Sequence, residues 1–173
     1  MNGQNKEQGN FTVEFAIIAV FFSIILVFCA NTVNQLAIRG KLDRMSYSAV
    51  SIIKERTQLF TADSFSVPKA EFDKMNLIVE NSLARTMSHF DINDFGSVLE
   101  VQTFDSSLKA NILDIHKIGI ACNIGSALNP DLSVVTSWGR KATLYRVTLC
   151  YKTTNLFGTG SSTINSSSIS IGR

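Results

Sequence analysis

Phe11–Ala30 reads FTVEFAIIAVFFSIILVFCA, an apolar run broken only by Thr12, Glu14 and Ser23. At 1.5 Å per residue, a helix of that length spans about 30 Å, the thickness of a bilayer's hydrocarbon core. A cleaved secretory signal has a shorter apolar region followed by small residues at its cut site. Ala30-Asn31-Thr32 fits that poorly. A core helix of a soluble protein is rarely apolar on every side over such a length. The run is therefore read as one transmembrane helix, residues 10–30.

The chain around it has 173 residues, 17% of them charged, and a mean hydropathy of +0.16. Those values suit one soluble domain averaged with one very apolar segment. Net charge is +2, and removing Lys6, Glu7 and Glu14 leaves 15 basic against 12 acidic groups. The excess is small and scattered, which excludes the clustered basic face of a nucleic-acid binder. No nucleic-acid partner is expected.

Beyond the span, apolar residues from Val33 to Leu59 recur at helical spacing. This predicts that the helix continues as an amphipathic extension over residues 31–60. Gly40 is its one weak point and a candidate kink. Asp43, Arg44, Lys54, Glu55 and Arg56 are read as its solvated face. A loop follows at Thr61–Val67, and Ser66 ahead of Pro68 signals a helix start. That second helix is expected over Lys69–Met87, burying Phe72, Met75, Ile78, Val79 and Leu83. His89–Gly96 reads as a turn. Its oxygens miss the spacing of a calcium loop.

After Gly96 the period shifts toward two, with strands around Val98–Thr103 and Ile115–Ile120. Val134-Val135 and Leu144–Tyr151 read as two arms of a hairpin. The Ser-rich end is either a flexible tether or an edge strand seated by Ile164, Ile169 and Ile171. The expected fold class is α+β: a long N-terminal helix and a second helix on a small antiparallel sheet, with residues 61–173 as the extracytoplasmic domain.

Chemistry-bearing residues are few. His89 and His116 have no neighbouring ligand at metal spacing, so no metal, no cofactor and no catalytic set is expected, and the chain is not read as an enzyme. Gly158–Gly160 lacks the helix and lysine that phosphate binding needs. Cys122 and Cys150 both fall in strand-like sequence and would suit a cross-strand disulfide in an oxidising compartment. Two unpaired buried thiols are the other reading. Flanking charge points the opposite way, because Arg39, Lys41 and Arg44 follow the span and only Lys6 precedes it.

Glu14 is the informative residue, because a carboxylate in an apolar run costs a few kcal/mol on insertion scales and needs a partner or a role. Ahead of it stands a hydrophilic segment, MNGQNKEQG, ending in Gly9. Glycine, four residues, then glutamate at the head of an apolar helix resembles the type IV prepilin processing signal. Glu14-Phe15 is similar to the glutamate–aromatic pair of the Flp/Tad subclass. Arg39–Phe60 resembles the TadF branch of the TadE/TadF minor pilins, and Arg146–Gly158 looks like the strand-and-loop region of TadE-type proteins.

That resemblance implies a leader over residues 1–9, cut between Gly9 and Asn10 by an inner-membrane prepilin peptidase. It implies an assembly role for Glu14 and Phe15, with Glu14 pairing the amino terminus of a neighbouring subunit. The implied setting is a single pass through the inner membrane, the C-terminal domain in the periplasm, and incorporation into an extracellular pilus. The implied partners are a TadE-like minor pilin, the Flp major pilin and the Tad inner-membrane platform, in adherence and biofilm formation. A different kind of reading stands beside it: an unprocessed single-pass sensor or accessory subunit of an envelope complex.

Overall fold

The computed structural model describes residues 5–59, 66–154 and 160–172. Met1–Gln4, most of the loop expected at 61–67, and the 155–159 connection with Gly158 lie outside the described residues. Helix α1 spans Asn5–Leu59, 55 residues and so about 80 Å long, and passes unbroken through Gly40. Its stretch Phe11–Glu55 is long and apolar enough to cross a membrane, with a mean hydropathy of 2.7 in an 18-residue window that is wholly unburied. Residues 11–30 are all exposed. Ser23 and Thr32 turn their hydroxyls back onto the carbonyls of Val20 and Phe28 (2.8 and 3.0 Å), so neither carries an unmet donor into an apolar setting.

Among the described side chains of α1, Leu42 is the first fully buried one, and Ser46, Ala49, Val50 and Ile53 follow on the same face. Spacing of three and four residues brings that face onto the sheet. Helix α2 covers Lys69–Thr86 and buries Phe72, Met75, Asn76, Val79 and Leu83. Ile78 instead points outward at 54% exposure: it neighbours Val79, and 100° of helix rotation carries it off the buried stripe. Pro68, not Ser66, occupies the N-cap, and its carbonyl accepts from Glu71 and Phe72. The Lys41 ammonium donates to the Thr86 carbonyl (2.5 Å), which supplies a cation and a donor at the end of α2.

Four strands follow: β1 Phe95–Gln102, β2 Asp114–Gly119, β3 Leu144–Thr154 and β4 Ser161–Ile171. They form one antiparallel sheet in the order β2-β1-β3-β4. The Ser-rich end is thus an edge strand. Val135 makes only a bridge to Lys141, so the expected first hairpin arm is no strand. Cys122 lies past the end of β2 and belongs to a loop.

Alternation sorts the central strands onto two faces. Phe95, Leu99, Val101, Tyr145, Val147, Leu149 and Tyr151 meet the helices in the main core. Fully burying side chains of this size contributes about 1.5–3 kcal/mol each. The opposite face carries Gly96, Glu100, Arg146 and Cys150, paired by register, and is covered by the irregular segment 120–142.

The direction of the domain follows from α2. Its last turn is tied to Lys41, just before the first buried position among the described side chains of α1 and nearest the apolar run. Tyr151 then donates to the His89 carbonyl and accepts from the Asp91 amide, both at 3.0 Å. The start of β1 and the end of β3 therefore sit toward the apolar run of α1, and the β1–β2 loop sits away from it.

Candidate functional site

The residues expected to carry function fall in two places that the chain does not bring together. Gly9 and Asn10 lie in the first turns of α1. Glu14 is exposed one turn further on, flanked by Phe11 (69% exposed) and Phe15 (64% exposed). No counter-ion for Glu14 occurs among the described residues. An exposed carboxylate on an otherwise apolar helix is costly in lipid unless charge or a donor from elsewhere meets it. Cys29, also exposed on this helix, is a free thiol.

The second place is the sheet face away from the helices. Cys122 and Cys150 are joined by a disulfide, with Cα atoms 5.6 Å apart. It ties the start of the 120–142 segment to the middle of the sheet. Gly96 sits opposite Cys150 in the register. A Cβ on Gly96 would stand 2.9 Å from the Cys150 sulfur and closer still to the Ile120 carbonyl oxygen. Only glycine lets the segment lie down on the strand here. Gly119 is constrained too: its φ is +74°, and a Cβ would strike the Phe95 carbonyl.

Beneath the same segment lies a buried ion pair. Glu100 is 2% exposed and Arg146 is 6% exposed. Arg146 Nη2 donates to Glu100 Oε1 at 2.6 Å, and Arg146 Nε donates to Glu100 Oε2. Nη1 donates to the Ser126 carbonyl at 2.9 Å. The forked arrangement satisfies both carboxylate oxygens and fixes the covering loop through its backbone. The alternation around Glu100 showed a strand, but only the register of a partner strand places Arg146 opposite it.

A third feature joins α1 to β4. Ser46 shares its hydroxyl with Ser166 (3.1 Å) and Ser168 (2.8 Å), and Ser166 donates to Asp43 Oδ1 at 2.5 Å. Asp43 is thus not merely solvated, as its place among the charged residues implied. It holds an edge strand.

The remaining polar candidates are occupied structurally. His116 Nε2 donates to the Val67 carbonyl at 2.8 Å, and its ring stacks on Phe72 at 5.7 Å. Asp91 accepts from the Asn93 amide and side chain, which uses its oxygen inside the turn. Among the described residues, no group of three or more His, Cys, Asp or Glu stands close enough to hold a metal. The geometry offers an apolar run, residues 11–30 of α1, with one charged position, and a domain stapled on both faces.

No curated protein and no solved structure matches the chain. The family model TadF, described as "Putative tight adherence pilin protein F", matches residues 2–173, and the protein therefore belongs to the TadF family of tight adherence pilin proteins.

Proposed function

We propose that this chain is a minor pilin, made as a precursor, cut between Gly9 and Asn10 by a prepilin peptidase, and needed for assembly of Tad/Flp-type pili in adherence and biofilm formation. The observation that carries this reading is Glu14. It is exposed on a helix surface that is otherwise apolar from Phe11 to Phe28 except for the hydroxyls of Thr12 and Ser23, and it has no counter-ion among the described residues. After cleavage, Glu14 is fifth from the new amino terminus. The free amine of Asn10 on a neighbouring subunit supplies the missing positive charge, and their attraction is strong in low dielectric.

The C-terminal domain stands in the periplasm, in contact with a TadE-like minor pilin, the Flp major pilin and the Tad inner-membrane platform. The Cys122–Cys150 bond supports that orientation, since disulfides persist in oxidising compartments. The role is structural rather than catalytic. Intact mass and N-terminal sequencing of protein purified from its native membrane test the reading: the chain should begin at Asn10.

One observation favours the second reading, an unprocessed single-pass sensor or accessory subunit. Helix α1 already begins at Asn5, so the Gly9–Asn10 bond lies in helical backbone that must open before a peptidase can reach it. A chain that keeps Met1–Gly9 in its native membrane decides for that reading.

A further inference from the structure

Strand β4 leaves an edge of the sheet open. It runs eleven residues in unbroken register with β3, and its sequence SSTINSSSISI has no charge and no proline. The opposite edge, β2, has six residues and carries Asp114, His116 and Lys117. Sheets blunt their edges with short strands, charge, proline or bulges, because unpaired N–H and C=O groups template another strand. β2 has two of these devices and β4 has none. Among the described residues, nothing pairs with the outer edge of β4.

A line on α1 runs beside that edge. Val33, Leu36, Gly40, Asp43 and Tyr47 follow at intervals of three and four, so they share one face of the helix. Asp43 grips Ser166 of β4, which places the line on the β4 side of the domain. Val33, Leu36 and Tyr47 are 65, 63 and 69% exposed, and Gly40 has open space around it. Toward the N-terminus the line joins the exposed apolar surface of residues 11–30 without a break.

We propose that the β4 edge and this helix line together form a docking surface for a second, non-identical chain anchored in the same membrane. That chain adds an extended, uncharged segment to β4 and lays apolar side chains along Val33, Leu36 and Tyr47. The proposal rests on the membrane-anchored reading above. Its uncharged character follows from β4, which offers only Ser, Thr, Asn and Ile to a neighbouring strand.

Neither free edge of a second copy fits: its β2 would run antiparallel to β4, but it is six residues long and carries Asp114, His116 and Lys117 against eleven uncharged positions, and its β4 runs the wrong way. Asp43 meets Ser166 and Ser46 meets Ser168, so β4 advances in the same direction as α1, away from the membrane. Two copies in one membrane would hold their β4 strands pointing the same way, which rules out antiparallel pairing. Parallel pairing sets facing residues out of step by one, whereas a two-fold axis along the membrane normal sets identical residues level. A chain of different sequence meets no such restriction.

The test uses the full-length chain in its native membrane, with a photo-crosslinking residue at Tyr47, at Thr163 or, as control, at Lys74 on α2. Adducts are identified by mass spectrometry. Tyr47 and Thr163 should capture the same non-identical anchored chain, through an extended segment at Thr163, and Lys74 should not. Two substitutions that favour the fold locally should block docking. Thr163→Glu faces Lys152 across the register, and Tyr47→Lys stands four residues after Asp43. Each should reduce the adduct formed from the other position at least tenfold. Capture of a second copy, equal capture from Lys74, or no adduct from a chain present at its normal level overturns the proposal. Intact mass on the same sample separates the two readings. A chain that gives the adduct yet retains Met1–Gly9 supports the docking surface while sinking the processing reading.

Discussion

Arg146 closes on Glu100 through two of its nitrogens, directly across the β1–β3 register, and its third nitrogen holds the Ser126 carbonyl. One residue pair therefore joins two central strands and the segment that covers them. Removing charge from water is costly, so such a pair is stable only while both members and the covering loop are present.

Truncating one partner should cost more than replacing both. Arg146→Met leaves a buried carboxylate unpaired and should lower stability by about 3–5 kcal/mol. Glu100→Leu combined with Arg146→Met should lose less than the single change. Denaturant unfolding of the full-length chain in detergent, followed by near-ultraviolet circular dichroism, measures both. A double variant less stable than Arg146→Met would contradict the argument.

Gly96 carries the closest backbone approach on the same face. Gly96→Ala brings a methyl group against the Ile120 carbonyl and the Cys150 sulfur, so one of them must shift. Overpacking of this kind costs roughly 1–3 kcal/mol. The expected sign is a lowered unfolding midpoint together with a raised fraction of alkylatable thiol in unreduced protein. A variant with full disulfide and unchanged midpoint would show that segment 120–142 rides freely above the strand.

The Cys122–Cys150 bond should act locally as well as globally. Replacing both residues by serine should cost about 2–4 kcal/mol. Amide hydrogen exchange should then rise first over residues 120–142, because those residues lie on the sheet's second face, away from the helix core. Uniform acceleration over α2 and β1 would mean that the bond supports the main core instead.

The helices were legible because their signals are local. The apolar run of residues 11–30 and the buried spacing of Phe72, Met75, Val79 and Leu83 each repeat within one element. The strands were legible as to existence, since Leu144–Tyr151 alternates on its own. What one strand does to another was not. The Glu100–Arg146 pair, the glycine at position 96 and the serine contacts of Asp43 depend on register between segments 46, 54 and 123 residues apart. Cys122 was misplaced for a related reason: its β-like surroundings continue those of β2, but φ +74° at Gly119 turns the chain out of the sheet just before it. Glu14 needed no register, because one charge in a membrane span is visible in a single line of sequence.

Gly9 and Glu14 should fail in separable ways. A peptidase that cuts after Gly9 must accommodate that residue beside its catalytic groups, where a branched side chain would intrude. Gly9→Val should therefore leave a full-length precursor, seen as an unchanged intact mass. Glu14→Leu removes the carboxylate from an apolar helix, so membrane insertion should be at least as efficient as before. Cleavage should also largely persist, since the Gly9–Asn10 bond is untouched. What disappears is the attraction to the free amine of a neighbouring Asn10, about 1 kcal/mol in water at 4 Å and several times larger in a low-dielectric setting. The Glu14→Leu chain should accumulate in the membrane at its normal level, begin at Asn10, and support no pilus. Electron microscopy of cells carrying that variant, beside a quantitative blot, gives the readout. Normal piliation at normal protein level would show that the charge on α1 has no part in assembly, and the unprocessed-anchor reading would then lead.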